Sequence, residues 1–225
     1  IIFIFTTLLS HWKKHVRTDI DLLVNNLKYG MEAGDLLYIG YSVNHLLIKL
    51  FTAGENIDNI YKLAKSYSHL IVRTKDSNIL DAFLLRLQVI LNLKGLTYNP
   101  LTLSDDNYNE EKVLETVIKR GTLSTLSYVY IIKLQIYYLF ESYLDALNVS
   151  EELKKYISGS YANILVPEYY FYYSLTLTAL YPKSSPKIKR NYLKILKKNQ
   201  KKMSIWADNC KDNFLHKYLL IEAEI

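Results

Sequence analysis

The chain has 225 residues, 50% of them hydrophobic, and a formal charge of +6 at pH 7. That length supports one sizeable core or one repeat array. The single cysteine, Cys210, excludes an internal disulfide framework and points to a reducing, cytoplasmic setting, and no apolar run reaches the ~18 residues of a membrane-spanning helix.

Gly and Pro are scarce, 7 and 4 residues, so long unpunctuated elements are expected. The abundant Lys, Tyr, Ile and Asn share AT-rich codons. Genome composition therefore accounts for much of the basic excess, and net charge alone is a weak argument for an anionic partner. The chain starts without Met and stops in "HKYLLIEAEI" without a helix-stop signal, as expected of a fragment of a longer protein.

Helical periodicity predicts about eleven helices, over 1–16, 19–33, 35–52, 56–74, 77–94, 108–120, 122–140, 142–157, 161–180, 186–208 and 212–225. In the first, Ile1, Phe5, Leu8, Trp12 and Val16 form an apolar stripe, flanked by the histidines of "HWKKH". His11 and His15 have the spacing of a metalloprotease helix. The general-base Glu is replaced by Trp12, two lysines follow, and no third ligand is in register, so a metal centre is not expected. His11, Trp12 and His15 are read instead as a junction at which the leading helix packs onto the rest.

Gly54, Gly95, Gly121 and Gly159 follow predicted helices and suit left-handed caps. Asp76–Ser77 and Ser185–Pro186 suit helix starts. The one long connection, 96–107, reads as an exposed loop. Acidic pairs such as Glu110–Glu111 sit at helix starts, where the helix dipole explains them. First helices of successive pairs begin near 35, 77, 122 and 164, roughly 42 to 45 residues apart, within the range of longer helical repeats. The expected fold is therefore all-α: one domain, 1–225, built as a superhelical array of antiparallel helix pairs. The pair "YVYIIKLQIYYLFESYLDALNVSEEL" is locally tetratricopeptide-like. Tyr130, Leu134 and Tyr137 lie on its first helix, and Tyr143 and a small Ala146 follow.

Two segments carry candidate binding chemistry. "EYYFYYSLTLTALYP" places aromatics on every side of a helix. Tyr169, Tyr170, Tyr172 and Tyr173 are candidates for an aromatic groove, with core packing expected for most of them. "PKSSPKIKRNYLKILKKNQKKM" holds nine Lys or Arg and no acid. Ile188, Tyr192, Ile195, Met203 and Trp206 fall on one face of this helix. Lys187, Arg190, Lys194, Lys197, Lys198 and Lys201 make a basic stripe, read either as a solvated face or as a site for an acidic protein, nucleic acid or anionic lipid. No phosphate loop, catalytic constellation or cofactor motif is recognisable, so this segment is expected to be no enzyme and to bind no cofactor.

Taken in order, "HWKKH", "GMEAGDLLYIGYS" with "LFTAGENI", the hairpin ending "LFESYLDAL", "VPEYYFYYSLTLTALYP" and "NQKKMSIWADNCKDNFLHKYLLIEAE" resemble the helical-repeat region of large bacterial multi-domain signalling kinases common in cyanobacteria. The best-matched positions are His11, Trp12, Lys13, His15, Gly34, Asp35, Leu36, Gly54, Trp206, Ala207, Asn213, Phe214, His216, Lys217, Glu222 and Ala223. The resemblance implies a protein-interaction scaffold between an upstream kinase-like and AAA-type ATPase part and a downstream sensor or histidine kinase part. Its implied partners are those domains or a regulatory protein.

Overall fold

The computed structural model describes residues 1–225. It has eleven α-helices and no β-strand: α1 Ile2–Ile4, α2 Arg17–Ala33, α3 Leu36–Thr52, α4 Ile57–Arg73, α5 Ser77–Leu93, α6 Glu110–Arg120, α7 Leu123–Leu139, α8 Tyr143–Leu153, α9 Leu165–Leu180, α10 Pro186–Asn209 and α11 Lys211–Glu224. Local chemistry sets many of these bounds. Asp35, Asp76 and Asn109 cap α3, α5 and α6 through side-chain oxygens. Gly34, Gly54, Gly95 and Gly121 take the left-handed conformation just past α2, α3, α5 and α6. Pro186 opens α10, where its missing N–H costs nothing.

α3, α5, α7 and α9 form a contiguous series, each touching the next, while α4 packs on α3 and α5, α8 on α7 and α9, α6 on α7, and α10 on α9 and α11. The four begin at Leu36, Ser77, Leu123 and Leu165, each within one residue of the expected starts. They also carry most of the core. α7 alone buries Leu126, Tyr128, Val129, Ile131, Ile132, Leu134 and Ile136. A helix this apolar on all sides needs neighbours on several sides. Ala146 on α8 is fully buried, and the adjoining Ser150 returns its hydroxyl to Ala146 O at 2.8 Å. A small pair of this kind permits close helix approach.

Four expectations are corrected. The first concerns residues 1–16, which are not one α-helix. After α1 the chain makes a π-helical turn over Phe5–Leu9 and a 3-10 turn over Ser10–Trp12. The widened turn adds a residue and rotates the residues after it by about 100°. Thr6, Thr7, Ser10 and His11 are buried, while Ile1 and Phe5 of the expected stripe are exposed. Thr6 and Thr7 satisfy their hydroxyls on Ile2 O and Phe3 O.

The second correction is at 154–164, which connects helices rather than extending them. Pro167 has no N–H and is tolerated only in a first turn, so α9 cannot begin as early as 161. Gly159 is not a left-handed cap. A Cβ there would stand 2.3 Å from the Leu123 carbonyl, so glycine is required for the 157–160 turn to lie on the start of α7.

Third, the 96–107 connection is exposed over most of its length as expected, but it is anchored from within, and Glu110 beside it is more than a dipole partner. Leu103 is 1% exposed. Asn92 Nδ2 donates to Thr97 Oγ1, Pro100 O and Thr102 O. Glu110, read as a dipole partner, is buried in an ion pair with Lys133 and accepts from Leu103 N at 2.9 Å. Fourth, α10 buries Tyr192, Leu196, Asn199, Gln200, Met203 and Ala207. No residue from Pro186 to Asn191 is buried, and Ile188 is 43% exposed.

The two chain ends meet. Trp12 packs at 5.7 Å from Trp206 and 5.6 Å from Phe214, centre to centre. Asn213 on α11 donates to His11 O and Lys14 O, both at 2.8 Å, and accepts from Val16 N at 3.0 Å.

Candidate functional site

The "HWKKH" stretch forms this junction. His11 is fully buried, and its Nδ1 lies 3.0 Å from Lys49 Nζ of α3. Lys49 in turn donates to Asp19 Oδ2 of α2 at 2.8 Å, and both side chains are closed to solvent. Burial, then the Lys49 charge, lowers the His11 pKa to about 3, so the ring is neutral at pH 7. Burial likewise lowers the Lys49 pKa, against the pull of Asp19. Trp12 is half-buried, and its Nε1 donates to Leu8 O and Ala162 O. His15 is partly buried and accepts from Arg17 N through Nδ1. Arg17 Nη2 ties the same corner to Ala53 O. The two histidines thus do different work, one inside a buried charged trio and one at a surface turn.

The basic stripe is where the sequence places it. Lys187, Arg190, Lys194, Lys197, Lys198 and Lys201 are all exposed on α10. None takes part in any of the ion pairs of the protein. The face opposite is held down partly by polar ties. Asn199 Nδ2 donates to Ser174 Oγ at 3.1 Å, and Gln200 Nε2 to Glu222 Oε2 at 2.6 Å.

The four tyrosines do not make one groove. Tyr169 and Tyr173 are buried and stacked at 5.6 Å, and Tyr173 donates to Glu151 Oε1 at 2.7 Å. Burial pushes both phenols up. Tyr172 accepts from Gln135 Nε2 at 3.1 Å, and burial raises it as well. Tyr172 lines a cleft of about 280 Å³ beside Glu168 and Lys217, and Tyr170 reaches a separate, aromatic one.

That cleft has a volume of about 540 Å³ and lies between the leading segment, the 157–166 connection and α10. Trp12, Tyr161, Val166, Tyr170 and Trp206 give it aromatic and aliphatic walls. Tyr161 is 84% exposed at its edge. Its one cation, Lys202, donates to Tyr170 Oη at 2.5 Å. Lys198 and Lys201 stand on the same helix within a turn of Lys202, so an apolar hollow and a band of unpaired positive charge are adjacent. Such a site can take a bulky apolar side chain and hold neighbouring carboxylates. Trp12, Tyr161 and Lys202 are absent from the binding candidates drawn from sequence. Trp12 meets them from about 150 and 190 residues away, and no local pattern carries that.

No group of three or more His, Cys, Asp or Glu side chains converges, and no helix is long and apolar enough to cross a membrane. Cys210 is buried and reduced, packed with Ala207 and Phe214 at the start of α11. Comparison with protein-family models, curated proteins and solved structures finds no match to this chain.

Proposed function

We propose that this chain is a non-catalytic interaction module that captures an acidic peptide segment with an apolar anchor residue. In this reading the helix pairs are a tetratricopeptide-like superhelical array, and the bound segment belongs to another domain of a multi-domain signalling kinase or to a regulatory protein. The observation that carries the proposal is the adjacency of the aromatic cleft to the unpaired basic stripe of α10. Aromatic side chains and cations are the groups that dominate protein interfaces. The array form supports it too, because stacked helix pairs present extended surfaces to partners.

The test uses a fluorescent acidic peptide carrying one Phe, with a Lys-for-Glu version as control. The acidic peptide is expected to bind and the control not. Tyr161→Ala and Lys198→Glu/Lys201→Glu alter exposed residues and leave the core intact. Each is expected to weaken binding about tenfold, the size of one lost anchor or charge-assisted contact. Equal binding of both peptides, or no effect of Tyr161→Ala, overturns the proposal.

The six free cations of α10 support a second reading, a binder of nucleic acid or another anionic surface. A 20-base-pair duplex separates the two. Its affinity would fall steeply with salt and would be indifferent to Tyr161→Ala.

A further inference from the structure

Arg86 is a buried cation without a counter-ion. It sits on α5 and is 9% exposed. Its Nη1 donates to Ala82 O at 2.6 Å and to Asn44 Oδ1 at 3.2 Å, and the guanidinium lies 4.3 Å from the centre of the Tyr128 ring. All three partners are neutral. Nε has no partner, and no carboxylate comes within ion-pair distance. Removing a guanidinium from water is costly unless an anion meets it, so an arrangement of this kind is incomplete by itself.

The same side chain lines a cavity of about 180 Å³ between α3, α5, α7 and the 159–165 connection. Its walls carry Asn78, Ser124, Thr125 and Asn163, and no Asp or Glu is among its 16 lining residues. Asn78 and Ser124 are exposed, which gives the cavity a mouth. α7 starts here. Thr122 gives it no side-chain cap, and the N–H groups of Leu123, Ser124 and Thr125 make no backbone hydrogen bond. The first turns of α5 and α9 also border the cavity, through Asn78 and Leu165. The α5 end is already met by its Asp76 cap, so the uncapped start of α7 and the first turn of α9 are the ones whose dipoles add to the Arg86 charge.

We infer that this cavity is a binding site for a small oxyanion, the carboxylate or phosphate group of a small ligand, with Arg86 as its counter-ion. A guanidinium presents a planar fork of donors that matches either group, and the hydroxyl and amide walls supply further donors. Size limits the ligand. A cavity of about 150 Å³ holds a benzene molecule, so this one takes inorganic phosphate or a short organic acid and excludes a nucleotide.

The test is thermal unfolding of the full chain with low-millimolar inorganic phosphate or acetate, each against chloride at matched ionic strength. A saturable rise in Tm is expected with at least one of the two, because a ligand bound only by the folded state stabilises it by mass action. The anion that acts identifies the group. Arg86→Met is expected to abolish the response while melting no lower than the parent in chloride, since it removes an unpaired buried charge. Ser124→Asp places a carboxylate at the exposed mouth. It is expected to fold normally and to weaken the response about tenfold by occupying the cation itself. No saturable rise with either anion, or an undiminished rise in Ser124→Asp, overturns the inference.

Discussion

The side chains that matter most to this protein are buried and polar. Lys49, Asp19 and His11 form a closed trio that joins α3, α2 and the leading segment. Arg86 sits apart with neutral partners. None of these except His11 stands out in the sequence, because whether a lysine or arginine is buried depends on neighbours that arrive from elsewhere. Two histidines, His11 of the trio and His45 of α3, give the protein a pH signature. Burial and the Lys49 charge lower His11 to about 3, and burial with the Arg86 and Lys49 charges lowers His45 to about 3. In the unfolded chain both titrate near 6.5. As pH falls below 6.5 the unfolded state binds two protons that the folded state refuses, so stability drops with acid. The slope is about 1.4 kcal/mol per histidine per pH unit. Urea midpoints between pH 6.5 and 5 measure it above the range where most carboxylates titrate. His45→Gln is expected to halve the slope. A flat profile would show that the histidines take up protons without unfolding.

At the scale of elements, α2 to α7 follow their local signals closely, and the departures have local causes. A π-helical turn rotates the leading segment, and Pro167 delays α9. Gly159 serves a close approach to α7 rather than a cap. The 157–163 stretch is notable for its two sides. Tyr161 and Ala162 line the aromatic cleft, while Ser160 and Asn163 line the Arg86 cavity. Beside the contacts of His11 and Trp12, the backbone of the leading segment is tied down by Asn213, which makes three hydrogen bonds to it. Asn213→Ala is therefore expected to destabilise the protein by about 2 to 3 kcal/mol, as buried backbone groups lose their partners. Trypsin would then cut first at Lys13 or Lys14. Cleavage there at the parent rate would show that the segment is held by its apolar contacts alone.

For the whole molecule, the contact between its first and last elements couples segments that are far apart in the chain. Stacked repeats with free ends unfold from those ends in steps. Here Trp12 and Trp206, the two tryptophans of the chain, lie against each other at the junction of its first and last parts. Phe51 and Leu84 also pack against both of the main core clusters. Tryptophan fluorescence and helical circular dichroism are therefore expected to report one coincident transition in urea. A fluorescence change well ahead of helix loss would mean that the junction opens independently.

What the sequence determined by itself is the helical class, the number of helices, the starts of α3, α5, α7 and α9, and the charged face of α10. Each rests on periodicity, caps or charge within some twenty residues. The aromatic cleft, the buried trio and the Arg86 cavity were decided only by tertiary structure. Trp12 meets Trp206, Lys49 meets His11, and Arg86 meets the start of α7 because stacking brings distant segments together. Even the apolar face of the leading segment was set by a single widened turn. Local patterns carry the period of a helix, but not which of its faces another helix will cover.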